Sequence, residues 1–148
     1  MRLTSHTDYA LRVLMALSAR TDQNVAVALL AERFGVSLTH LQKVVQHLVH
    51  AGWIISARGR GGGVRLAMSP REIRIGAVVR SMEPDFALVA CLGPGGRCPL
   101  SAACGLQSVI CSARDAFFAV LDAHTLADVS EQGRTPGLER LLRPGPVG

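Results

Sequence analysis

Residues 27–67 read VALLAERFGVSLTHLQKVVQHLVHAGWIISARGRGGGVRLA, and this stretch decides the fold. Val27 to Phe34 is a short helix and Gly35 supplies a turn. Ser37 caps a following helix in which Leu38, Leu41, Val44, Val45 and Leu48 make one apolar face, and Gly52 ends it. Two helices joined by a short glycine-containing turn, the second amphipathic, form the pattern of a helix-turn-helix. Trp53 to Ala57 and Val64 to Ala67 are β-prone runs on either side of Arg58-Gly-Arg-Gly-Gly-Gly63. The glycines permit backbone angles closed to other residues, and the arginines put positive charge at the tip. A basic hairpin directly after a helix-turn-helix is a wing.

Upstream, Ser5-His6-Thr7-Asp8 reads as a capping box, and Ala10, Val13, Leu14 and Leu17 follow at helical spacing, which predicts a helix from about Thr7 to Ala19. Downstream, Ile75 to Met82 is a fourth helix, stopped by Glu83-Pro84-Asp85. From Ala90 to Cys104 the chain turns to Gly, Pro and Cys and reads as a loop. Leu106, Val109, Ile110, Ala113, Phe117, Val120 and Leu121 then continue an apolar stripe for about five turns. The small N-terminal unit covers only part of such a helix, so a matching helix from a second copy is the expected partner.

The expected fold class is therefore mainly α with a small β-hairpin wing: a winged helix-turn-helix plus a long C-terminal dimerisation helix. Residues 1–83 form the DNA-binding region, 84–132 the cysteine loop and dimerisation helix, and 133–148 a flexible tail.

With 148 residues the chain can bury roughly two-thirds of its unfolded surface. An apolar fraction of 49% against 18% charged excludes a disordered chain. The formal charge of +5 is unevenly placed. Residues 1–70 carry eight Lys/Arg against three acids, and the remainder eight against eight, so the whole excess lies in the half that holds the helix-turn-helix. No stretch approaches a membrane span and the start does not read as a signal peptide. The four cysteines are thus expected in a reducing cytoplasm, where spaced cysteines bind metal or sense redox state more often than they form disulfides.

On the third helix, Thr39, His40, Gln42, Lys43 and Gln46 lie opposite the apolar stripe. Short polar and amide side chains there suit base edges in a major groove, and Lys43 suits phosphate. In the wing, Arg58, Arg60 and Arg65 are the DNA candidates, with Arg60 at the tip suited to a narrow minor groove. Cys91, Cys98 and Cys104 are separated by six and five residues. Structural zinc takes closer pairs, whereas a cluster of several irons suits thiolates on a loop that wraps. Buried, unligated cysteines are the alternative. An electron-transfer protein or an enzyme using such a cluster is an alternative from another class; against an enzyme, the acids are scattered, no nucleophile arrangement is apparent, and the basic half would be unexplained.

The stretches Leu3 to Arg12, Arg58 to Gly63 and Ile73 to Arg80, the three cysteines, and Phe117 through Asp128 resemble the iron-sulfur winged-helix repressors of the NsrR and IscR type over about residues 1–130. The opening and Leu121 to Asp128 look closest to the NsrR-type nitric-oxide sensors. That resemblance implies a homodimer on pseudo-palindromic double-stranded operator DNA. It further implies an iron-sulfur cluster, [4Fe-4S] favoured over [2Fe-2S], whose damage by nitric oxide lowers DNA affinity. It assigns the cluster to Cys91, Cys98 and Cys104, with Asp8 of the other subunit as fourth ligand. IscR-like members use a histidine where this chain has Gln107, and the first cysteine gap is one residue longer than the family's usual five. Without the resemblance Asp8 is a capping-box acid. Cys111 stands two turns beyond Cys104, about 10 Å along the helix, and is the other candidate ligand. A [2Fe-2S] redox or iron-sulfur-status regulator and a metal-free thiol regulator remain alternatives.

Overall fold

The computed structural model describes residues 2–132, apart from 60, 94, 97 and 100–103, together with Leu142. It contains α1 (Ser5–Ser18), α2 (Val27–Phe34), α3 (Leu38–His50), β1 (Ile54–Ala57), β2 (Gly63–Leu66), α4 (Ile75–Met82), α5 (Gly105–Ala123) and α6 (Leu126–Gln132), and a 3-10 turn at Ala90–Leu92. This is the winged helix-turn-helix that residues 27–67 predict.

The core forms around α1, whose Ala10, Val13, Leu14 and Leu17 are completely buried. Against it pack α3, α4, β2 and α6. Each such leucine contributes about 1.5–3 kcal/mol by leaving water. α2 ends where Gly35 takes the left-handed conformation at φ 63°, which a residue with a Cβ adopts only with strain. Ser37 then caps α3 by accepting from the His40 amide at 3.3 Å. The two strands pair antiparallel, Ile54 opposite Leu66 and Ala57 opposite Gly63. Val25, in the segment before α2, adds a third pairing to the wing through two 2.9 Å backbone bonds with Val64. A Cβ on Gly63 would lie 2.5 Å from the Val25 carbonyl oxygen, so the last wing glycine is demanded by this close approach.

The first helix differs from the sequence expectation. Its N-cap is Thr4, whose hydroxyl accepts from the Thr7 amide at 3.2 Å, and not Ser5. The acid that completes the cap is not Asp8 but Glu83, which accepts from the Thr4 amide and hydroxyl at 2.6 and 3.1 Å from 79 residues away. Asp8, four positions beyond the cap, instead pairs with Arg12 at 2.8 Å on a half-exposed surface. The capping role expected for it is filled by another residue.

A second difference lies at the end of the long helix. α5 stops at Ala123, and Thr125 and Asp128 form a reciprocal cap for a separate α6: the Thr125 amide donates to Asp128 at 2.7 Å and the Asp128 amide to Thr125 at 3.2 Å. α6 turns back onto α1, with Leu126 fully buried and Ser18 donating to Ser130 at 2.7 Å. The expected flexible tail lies outside the described residues except for Leu142, which is buried in the core.

Candidate nucleic-acid interface and cysteine loop

Burial of Leu41, Val44, Val45 and Leu48 turns the opposite side of α3 outward. Thr39, His40, Gln42, Lys43 and Gln46 are all exposed there. Arg58 and Arg65 are exposed on the wing, and Arg60 lies outside the described residues. The wing's base is fixed to the body, since the Trp53 indole donates to Ser81 of α4 at 2.8 Å. Near its tip, Asn24 donates to the Gly61 carbonyl at 3.2 Å, and Gly59 and Gly61 have φ of 92° and 80°. An amphipathic helix and a glycine-shaped basic hairpin thus sit on one rigid frame, one suited to base edges and the other to phosphate or minor groove.

Four side chains at this surface were not singled out from sequence: His6, Tyr9, His47 and Asn24. His6 Nε2 of α1 lies 3.0 Å from His47 Nδ1 of α3, and the Tyr9 and His40 rings meet edge-on at 5.5 Å. Burial first, then the neighbouring His47 and His40, hold the His6 imidazole below its usual pKa. The partners are more than 30 positions apart, and no local pattern signals such pairs.

The cysteine loop runs from the end of α4 to the start of α5. Cys91 lies in the 3-10 turn, Cys104 is the N-cap of α5, and Cys111 stands two turns into that helix. All four cysteines are half-buried and none is in a disulfide. The loop folds back sharply: Gly95 has φ 74°, and a Cβ on Gly96 would lie 2.4 Å from the Ala90 carbonyl oxygen and 2.8 Å from that of Cys91. Only glycine at 96 lets the chain wrap this closely over the first cysteine. Among the described residues no three His, Cys, Asp or Glu side chains gather to hold a single metal ion. The donor set is three soft thiols spread along a wrapping loop, the chemistry that an iron-sulfur cluster takes.

Among the described residues, α5 is anchored chiefly through its C-terminal half. Arg80 of α4 makes a bidentate pair with Asp122, 2.7 Å on each arm, and its guanidinium stacks 4.1 Å over the Phe118 ring. A Cβ on Gly76 would lie 2.0 Å from the Asp122 carboxylate, so α4 and α5 touch at a glycine. Leu106, Val109 and Val120, with exposed Ala113 and Ala116 between them, share the outer face and are 63%, 61% and 62% exposed for the three large residues. Among the described residues no helix is long and apolar enough to cross a membrane.

A winged helix-turn-helix with a basic reading face, joined through a cysteine loop to a helix with a bare apolar stripe, defines a DNA-binding regulator. The chain belongs to the Rrf2 family of iron-dependent transcriptional regulators, whose profile matches residues 3–132. It is therefore a transcriptional regulator and not an enzyme. Among its relatives is the HTH-type transcriptional regulator NsrR of Bacillus subtilis, 44% identical over 87% of this chain and 90% of that one. The NsrR of Geobacillus kaustophilus is 45% identical over 88% and 90%. Among solved structures, the IscR of T. potens superposes with a TM-score of 0.71 at 25% identity, covering 98% of this chain and 94% of that one. CymR, the global cysteine regulator of B. subtilis, has the same fold, with a TM-score of 0.73 at 24% identity over 89% and 98%.

Proposed function

We propose that this regulator is a homodimeric repressor that senses nitric oxide through an iron-sulfur cluster held by Cys91, Cys98 and Cys104, with Asp8 of the second copy as fourth ligand. The observation that carries the reading is continuity. The glycine-folded loop bearing the thiols runs directly into α5, whose unburied outer face suits a second copy of itself, so a change in the loop acts on the helix that sets dimer geometry. The NsrR-named relatives and the IscR neighbour support the same reading.

A bound cluster, [4Fe-4S] in preference to [2Fe-2S], supplies iron that nitric oxide can attack. The chain's own residues do the rest. Three thiolates would restrain the loop between Cys91 and Cys104, and the half-exposed Asp8 carboxylate, which does not cap α1, would exchange its pair with Arg12 for the cluster of the second copy. Paired α5 helices hold two copies of α3 about 34 Å apart, one turn of DNA, matching a pseudo-palindromic operator. Thr39, Gln42, Lys43 and Gln46 face the major groove while Arg58, Arg60 and Arg65 follow the backbone or minor groove. Loss of the restraint relaxes the loop and lowers operator affinity.

The test is purification without oxygen, followed by iron and sulfide assays, an absorption spectrum, and a nitric oxide titration of binding to a duplex selected from a randomised pool. Iron and sulfide in the protein, with affinity falling as nitric oxide is added, is the expected result. An iron-free protein that binds the duplex equally well with and without nitric oxide overturns it, and the half-buried thiols then favour a thiol-based regulator.

A further inference from the structure

Core packing holds α3 through Leu41, Val44, Val45 and Leu48. Burial of this stripe sets which side of α3 faces inward, but an apolar stripe about 100° wide leaves the finer rotation of the helix to more directional contacts. Rotation decides which side chains meet a groove. With side chains the helix is about 10–12 Å across, so a turn of about 20° moves a side-chain tip by about 2 Å, beyond the tolerance of a hydrogen bond to a base edge.

Two contacts on the flank of α3 add such directional constraints. His6 and His47 face each other nitrogen to nitrogen at 3.0 Å, with ring centroids 5.2 Å apart. Tyr9 and His40 meet edge to face, the rings inclined at 76°. His40 and His47 are seven residues apart, so α1 grips α3 at two points about 10 Å apart along its axis. Two separated grips on one side fix a rod's rotation. They also occupy His40, whose ring is turned to Tyr9 although its position borders the reading face.

We propose that His6 and Tyr9 are positioning residues for sequence reading: gripping His47 and His40, they set the rotation of α3 and so present Thr39, Gln42, Lys43 and Gln46 to the groove. His40 and His47 act as the gripped points and not as base readers. The inference rests on α3 being the recognition helix of this regulator.

The experiment uses the full chain, purified without oxygen. Wild type first selects a duplex from a randomised 30-base-pair pool, about three turns long. Affinities are then measured for that duplex and for a scrambled one of equal length. His6→Ala and Tyr9→Ala are expected to lower the ratio of the two affinities about tenfold, the worth of a well-placed base contact, with the scrambled affinity unchanged. His6→Gln, whose amide nitrogen reaches the place of Nε2, and Tyr9→Phe, which keeps the ring, are expected to stay within about twofold of wild type. An unchanged ratio in both alanine variants overturns the proposal. So does an equal fall on both duplexes, or a His6→Gln ratio as low as that of His6→Ala. If Tyr9→Ala fails to fold, the two His6 variants decide alone. Failure of wild type to enrich any sequence overturns the recognition-helix reading itself, and this inference with it.

Discussion

Helices α3 and α5 both carry an apolar stripe, yet the chain completes only one of them. α3 buries Leu41, Val44, Val45 and Leu48 within its own fold, whereas the nineteen residues of α5 bury only Phe118 and leave Leu106, Val109 and Val120 more than 60% exposed. The winged-helix half is thus a finished unit, and under the proposed function the α5 half is the part that a second copy would complete. Exposed stripes of this kind mark interfaces. The division suits the proposed function, in which the packed half would read DNA and the half with the bare stripe would respond.

The largest effect that tests this division is chemical. Cys91→Ala, Cys98→Ala and Cys104→Ala are each expected to abolish iron and sulfide in protein purified without oxygen, with the far-ultraviolet circular dichroism of the winged helix retained. Cys111→Ala is expected to keep both elements. A colourless Cys111→Ala protein would reassign the ligand set.

Next in size is the α5 stripe. Val109→Glu places a charge on a face that a partner would bury, and is expected to weaken self-association at least about 100-fold, measured by sedimentation. In the single chain Val109 is already exposed, so the melting temperature of a monomeric form should hardly move. An unchanged association constant would put the interface elsewhere.

The seam between the halves gives a smaller effect. Gly76→Ala drives a Cβ against the Asp122 carboxylate and is expected to destabilise by about 1–3 kcal/mol in urea unfolding. Gly105→Ala, at the start of α5 with open space around it, is the control and should be neutral or slightly stabilising. Equal behaviour of the two would mean that the Asp122 carboxylate moves clear of the added Cβ at little cost.

Smaller again is Asp8→Asn. Its pair with Arg12 is half exposed, so the loss of stability should stay within about 1 kcal/mol, while the cluster's absorption spectrum or its nitric oxide kinetics should change. Wild-type spectra and kinetics in this variant would remove Asp8 from the ligand set. The least effect is on pH. Hydrogen bonds from Arg80 to Asp122, and from the Thr125 backbone to Asp128, hold both carboxyls below their ordinary 3.8. Because these folded values are depressed, the stabilisation is present above about pH 4 and fades as pH falls through the depressed range. Asp122→Asn should therefore flatten the dependence of melting temperature on pH only below about 4.

How legible was this in the sequence? The periodicity of Leu41, Val44, Val45 and Leu48, the Ser37 cap, the Gly35 turn and the Arg-Gly wing were all readable, since each is a relation among residues a few positions apart. The bounds of α2 and α4 follow from the same local signals. The Thr125-to-Asp128 cap is equally local and was readable too, although the apolar run before it suggested one continuous region. What only the tertiary structure decided are relations across long separations. Glu83 takes over the cap of α1 from 79 residues away and leaves Asp8 with Arg12; His6 finds His47; Gly76 and Arg80 receive Asp122. Secondary structure and the burial of a stripe depend on short-range spacing, which a sequence displays directly. Which polar group meets which depends on how finished elements pack, and that packing is fixed only when the whole apolar core closes.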